Sequence, residues 1–349
     1  MNEARCRRLI AQALATFDLN LSGLRILTEA ATGSYVLTPL IAALAGAEQV
    51  DALTRDSRFG SAKDVYASTM ALAARWGVDN RIQVLFSREA PEIGLADVVT
   101  NLGFVRPLDK PFLHRLKPTA VIPLMWETWE YRPQDLDLGE CQRLGIPVLG
   151  TNEHHPDLQI FRYVGHLAIK LLFETGIEVF RSRVVVVGSG EFGDEAARSL
   201  HDVGAQVYVV NPCLSEGLRS AESHDALATS DALVVIEHHC RDMLIGPGGQ
   251  ITAKELYRLN PGMVLTHITG EVNRNDVKKA GIICHPDQLA PAGFMSVATD
   301  YLGPRPLIDL HAAGLRVGQA MAQAVREGYS GVAAEEQAST LCSLAQKFT

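Results

Sequence analysis

A run of β-branched residues, Arg183-Val-Val-Val-Val187, ends directly in Gly188-Ser-Gly190-Glu-Phe-Gly193, and a helical stretch follows as far as Val203. Strand, glycine loop and helix in that order can hold a dinucleotide. The first glycine permits the tight turn, the second lets backbone approach a pyrophosphate, and the third lets the helix pack on the strand. The anion then rests on the helix N-terminus, where unpaired N–H groups and the helix dipole favour negative charge. Gly188, Gly190, Glu191, Phe192 and Gly193 are the expected cofactor contacts. The next strand, 206–210, ends at Asn211, near the spacing of the residue that reads the ribose. NAD-selective enzymes usually carry an acid there; Asn can hydrogen-bond a ribose hydroxyl but does not repel a 2′-phosphate. No Arg follows at once to grip such a phosphate, Arg219 being eight residues on. NAD is the expected cofactor, with NADP left open. His238, just past a strand at 232–236, and His267, on a strand at 263–268, complete the cofactor set.

These residues need a scaffold of alternating elements. After an N-terminal helix come an extended 24–27, a helix at 37–45, a strand at 49–54 and a helix at 63–76. Further short aliphatic strands are expected at 82–86, 98–101, 120–124 and 146–149. Strand, helix, strand implies a parallel sheet covered on both faces. From Asp157 a helix is expected, with Leu158, Phe161, Val164, Ala168, Leu171 and Leu172 at helical spacing and Gly176 as its stop. The fold class is therefore α/β, with two Rossmann-like or flavodoxin-like domains of parallel strands and a cofactor cleft between them. A length of 349 residues suits two cores rather than one. The expected boundaries are 1–155 for a substrate domain, 156–312 for the NAD(P)-binding domain, and 313–349 for C-terminal helices returning to the first.

A net charge of −8 without a Lys/Arg stripe argues against nucleic acid as a partner. The stretch MNEARCRRLIAQALATF carries charge through Arg8 and has no long apolar run, which argues against a signal peptide or membrane span, so a cytoplasmic location is expected. The six cysteines show no CxxC pair, and the adjacent pairs His154-His155 and His238-His239 would point to opposite faces of an extended segment. No metal site is expected.

The run Ile251-Thr-Ala-Lys-Glu-Leu-Tyr-Arg-Leu-Asn-Pro-Gly262 before the strand at 263–268, and the later Leu307-Ile-Asp-Leu-His311-Ala-Ala-Gly314, resemble the D-isomer-specific 2-hydroxyacid dehydrogenases. So does Gly145-Ile-Pro-Val-Leu-Gly150-Thr-Asn with its following helix. The resemblance spans about two-thirds of the chain, from near Asp135 to near Val325, and diverges at the active site. It implies a His proton donor, a Glu supporting it, and an Arg that holds the substrate carboxylate. His311 matches the donor by its surroundings, opening the helix that returns to the first domain, and an imidazole's ordinary pKa suits general acid work. The other reading is a histidine that caps or packs the start of that helix. Aligning the family's Arg-Gly on Gly270 puts Thr269 where the Arg belongs, and Thr cannot form a bidentate clamp. Asp287 and Asp300 are the only acids between Gly281 and Pro304 that could stand for the Glu, and neither spacing fits.

In this architecture substrate is read beyond the carboxyl ends of the first domain's strands. Asn101, Arg106, Trp126 and Glu127 are the expected substrate contacts, with Arg106 first and Arg305 second to replace the missing clamp. Trp126 and Trp129 fit either a substrate wall or a dimer contact. The expected protein is a homodimeric NAD(P)-dependent oxidoreductase acting on a small hydroxy, oxo or imino acid-like molecule. The alternative is a non-catalytic NAD-responsive binding protein on the same fold.

Overall fold

The computed structural model of the chain describes residues 1–214, 216–287, 290 and 300–348. It divides into two compact units, Met1–Gln159 with Pro304–Thr349, and Ile160–Gly303. Both are α/β with parallel sheets, as the alternation of elements requires.

In the first unit β1 (Arg25–Glu29), β2 (Gln49–Leu53), β3 (Ile82–Leu85) and β4 (Val98–Val99) form a parallel sheet in the order β3-β2-β1-β4. β5 (Ile122–Pro123) and β6 (Val148–Thr151) pair in parallel beside it. The two pieces meet where Val98 bridges Val121 and the Val99 N–H donates to the Val121 carbonyl at 2.9 Å. In β1 everything from Ile26 to Glu29 is buried, which is how a strand covered by helices on both faces reads. The helix Pro304–Arg326 buries Leu307, Ile308, Leu315, Val317 and Met321 in this unit. An antiparallel strand, Ala345–Gln346, closes the sheet against β6, a pairing that periodicity in the sequence did not foretell.

The second unit holds β7 (Arg183–Val187), β8 (Gln206–Val210), β9 (Ala232–Ile236), β10 (Val264–Thr269) and β11 (Ile283–His285), all parallel, in the order β11-β10-β9-β7-β8. The valines of β7 serve both faces alternately. Val184 and Val186 pack with Phe161, Val164, Ala196 and Leu200, while Val185 and Val187 pack with Leu233, Leu256, Leu265 and Val277. The chain runs from β7 to β8 on one side and then crosses to β9 on the other. The sheet therefore reverses its winding between β7 and β9, and such a switch point opens a crevice at the carboxyl ends of the strands.

Two expectations are corrected. The helix foreseen from Asp157 starts at Ile160, just after Gln159, whose φ of +44° lies outside the right-handed region that a side-chain-bearing residue keeps in a helix. The helix thought to open at His311 starts at Pro304, which leaves His311 about two turns inside it. Short helices at Leu138–Leu144 and Arg274–Ala280, and β11, carry too few residues for a periodic pattern to declare them. Among the described residues no helix is long and apolar enough to cross a membrane.

Candidate functional site

The glycine loop sits at the carboxyl end of β7, beside the switch point, and its three glycines divide the work. A Cβ on Gly188 would lie 2.5 Å from the Ile236 carbonyl oxygen, and one on Gly193 2.8 Å from the Gly188 carbonyl. These two let the helix Gly190–Asp202 close on the sheet. Gly190 differs: its φ is +57°, and a Cβ there would meet only the His239 ring, at 3.5 Å. The space above it is a shallow cradle at a helix N-terminus. Ser189, the N-cap residue, does not cap that helix with its side chain. Its hydroxyl instead donates to Glu237 Oε1 at 2.9 Å. The cradle, the helix end and the absence of a side-chain cap fit a pyrophosphate.

Phe192 and His238 are both buried, and their rings stack at 4.6 Å between centroids, with Phe161 against the other edge of Phe192 at 5.2 Å. They form the packed floor beside the loop. Glu191 is exposed in the first turn of the helix. The Asn211 side chain turns back on its own loop, where Oδ1 accepts from the Cys213 N–H at 2.9 Å. His267 is buried in β10 and donates from Nε2 to the Gly270 carbonyl at 2.9 Å, and burial pushes its pKa down to about 4. It is a neutral buckle across the turn. Thr269 is fully buried, and its carbonyl accepts from the Glu237 N–H at 2.9 Å. Asp287 is almost wholly solvent-exposed and ion-paired to Arg274 at 2.6 Å. Asp300 is half-buried, and its carbonyl accepts from the Gly303 N–H at 3.1 Å.

Sequence reasoning passed over Glu237. It directly follows β9 and is fully buried, and its Oε1 accepts from the backbone N–H groups of His239 (2.7 Å) and Cys240 (2.8 Å) as well as from Ser189. A carboxylate one residue past a fully apolar strand was the available signal.

The first unit brings its own chemistry together at the carboxyl ends of its strands. Asn101 Oδ1 accepts from the Met125 N–H at 2.8 Å, tying the end of β4 to the end of β5. Arg106 lies over the Trp126 ring at 4.8 Å and donates to Asp135 Oδ2 at 2.6 Å, so the proposed clamp already holds an internal carboxylate. Arg305 is engaged with Gln12 at 3.1 Å and with Asp309 at 3.9 Å. Glu127 is buried, accepting from the Glu153 N–H at 3.0 Å and the Trp129 indole N–H at 2.6 Å. Two further acids lie in the stretches that follow these strands, Glu29 and Glu130. Burial raises the pKa of Glu29 although it accepts from the Phe104 N–H at 2.8 Å. Burial pushes Glu130 up to about 7, against the pull of Arg132 and Arg106 and with help from Glu127. His311 is buried in the same unit, its Nδ1 3.1 Å from Thr38 Oγ1 and its ring 6.1 Å from that of Tyr35. Burial lowers its pKa to about 3. At neutral pH it is an uncharged imidazole rather than a ready proton donor. Among the described residues no cluster of His, Cys, Asp and Glu could hold a metal ion.

No known family pattern and no curated protein matches the chain. Solved structures similar to it include a dipicolinate synthase polypeptide from Bacillus halodurans, with TM-score 0.48 and 12% identity over 87% of this chain and 98% of that one. Its counterpart in the dipicolinate synthase of Bacillus subtilis gives 0.48 and 14% over 89% and 98%. A putative NAD-binding D-isomer-specific 2-hydroxyacid dehydrogenase from a Polaromonas species gives 0.45 and 14% over 81% and 97%. The family that the sequence resembles is thus among its structural likenesses, at low identity. Proteins this distant set no activity for this chain.

Proposed function

We propose that the unit Ile160–Gly303 binds a nicotinamide dinucleotide and that the protein is an oxidoreductase passing a hydride to or from a small hydroxy, oxo or imino acid-like substrate. The observation that carries this reading is the glycine loop: two glycines at which a Cβ would overlap neighbouring backbone and a third left open at a helix N-terminus, all at the switch point of a parallel sheet. The dinucleotide, when bound, supplies the hydride chemistry. The chain's own part is to seat the pyrophosphate above Gly190, with Phe192 and His238 keeping that floor rigid and dry. On the first unit, burial pushes the Glu130 carboxyl up to about 7, the range in which a group can hold or release a proton near neutral pH. NAD rather than NADP, a homodimer, and action on a small molecule without nucleic acid or membrane belong to the same reading. Calorimetry with NAD tests the binding, and loss of absorbance at the reduced-nicotinamide band with a panel of oxo acids, ketones and imines tests the reaction. A folded protein with no affinity for either dinucleotide ends the proposal.

A second reading is favoured by His311 and Thr269. The candidate donor is held neutral by burial, and the position aligned with the carboxylate clamp is a fully buried threonine. A protein that kept the dinucleotide for signalling would look the same. Tight NAD binding with silence across the whole panel selects it.

A further inference from the structure

Glu237 holds a position that the dinucleotide reading does not yet use. Its carboxylate is fully buried, and the two oxygens are treated unequally. Oε1 takes the Ser189 hydroxyl and the N–H groups of His239 and Cys240, whereas Oε2 has no hydrogen-bond partner among the described residues. Buried carboxylate oxygens are rarely left so, because a charged acceptor stripped of water needs donors. The surroundings indicate the missing donor. Ser189 belongs to the glycine loop after β7, and Cys213, from the loop after β8, lies with its Sγ 3.6 Å from Ser189 Oγ and 4.0 Å from Glu237 Oε1. Glu237 therefore comes from the end of β9 into the space between the loops after β7 and β8. In doubly wound sheets that space receives the ribose next to the pyrophosphate, normally read by an acid at the end of the second strand. Here Asn211 follows that strand, and its side-chain Oδ1 is engaged by the Cys213 N–H.

We propose that Glu237, reaching across from β9, accepts the adenosine ribose hydroxyl of the dinucleotide in place of an acid at Asn211, and so selects NAD against NADP. The exposed Cys213 thiol lies beside the same carboxylate, 4.0 Å from Oε1. A 2′-phosphate in the same place would meet the acceptor oxygens of the Glu237 side chain, which offer it no donor. This inference rests on the dinucleotide reading above and names the residue that sets its specificity.

The test is calorimetry of the full chain with NAD, NADP and NAD lacking the adenosine 2′-hydroxyl, for the wild type and Glu237→Gln. Gln keeps the shape and the acceptor that Ser189 and the two backbone N–H groups use, but carries no charge. The wild type should bind NAD at least about tenfold more tightly than NADP and than the 2′-deoxy form. In Glu237→Gln the preference over NADP should fall to near unity while NAD still binds. A purely structural role would weaken all three ligands equally and leave the ratios unmoved, and that result overturns the proposal. So does a wild type that prefers NADP. Should the variant fail to fold, the wild-type comparison decides: equal affinity for NAD and its 2′-deoxy form overturns the assignment. Absence of binding to either NAD or NADP overturns the dinucleotide reading itself, and this proposal with it.

Discussion

His267 and His311 are imidazoles that the fold keeps uncharged, and the cost of doing so depends on pH. In the unfolded chain both take up a proton near pH 6.5, whereas in the folded protein they do so only at about 4 and about 3. Between those values the unfolded state binds more protons, so the stability present above pH 6.5 is lost as the pH falls through that window. For His267 the loss by pH 4 is on the order of 3 kcal/mol. His267→Gln can still donate to the Gly270 carbonyl, and His311→Asn can still meet Thr38. Urea unfolding of each variant at pH 7 and pH 4.5 should show a shallower acid loss than the wild type; equal slopes would mean that neither imidazole is the sensor. Thr269 makes a second prediction at this scale. Because it is fully buried in β10, Thr269→Arg should not restore a carboxylate clamp but should bury an unpaired charge, at a cost of at least about 3 kcal/mol. Denaturant midpoints together with turnover of simple 2-oxo acids check this, and a stable variant with gained turnover would refute it.

The helix Gly190–Asp202 and the strand before it show how element packing separates residues that a motif groups together. Gly193→Ala puts a methyl group 2.8 Å from backbone that cannot move aside, so it should destabilise the second unit by about 1–3 kcal/mol through overpacking. Gly190→Ala meets nothing nearer than the His239 ring, and its cost in stability should be only the roughly 1 kcal/mol of a left-handed alanine. Its effect should fall on the dinucleotide, with affinity lowered at least about tenfold. Thermal melts and NAD titrations of both variants should therefore rank them in opposite orders. The same rank in both assays would mean that the cradle above Gly190 is not where the pyrophosphate lies.

Each of the two units has its own sheet and its own buried core, so a ligand of one should leave its mark there first. NAD at one hundred times its Kd should stabilise the unit that binds it by about 2.7 kcal/mol. Hydrogen exchange with and without NAD should show added protection in β7, β8 and β9 beyond that in β2 and β3. Uniform protection, or protection confined to the first unit, would place the dinucleotide elsewhere. Sequence alone determined the α/β class, the order of strand, glycine loop and helix at 183–203, and the core faces, because burial on both sides of a strand and on one side of a helix is written in local periodicity. It pointed to Arg106 and Trp126, which the fold does bring into contact. What the tertiary structure decided was which polar groups meet. Glu237 reaches Ser189 across 48 positions, His311 meets Thr38 across 273, and Arg106 is claimed by Asp135 across 29. No local pattern encodes such meetings, since each depends on where separate strands end on a shared edge and on how much water their packing removes.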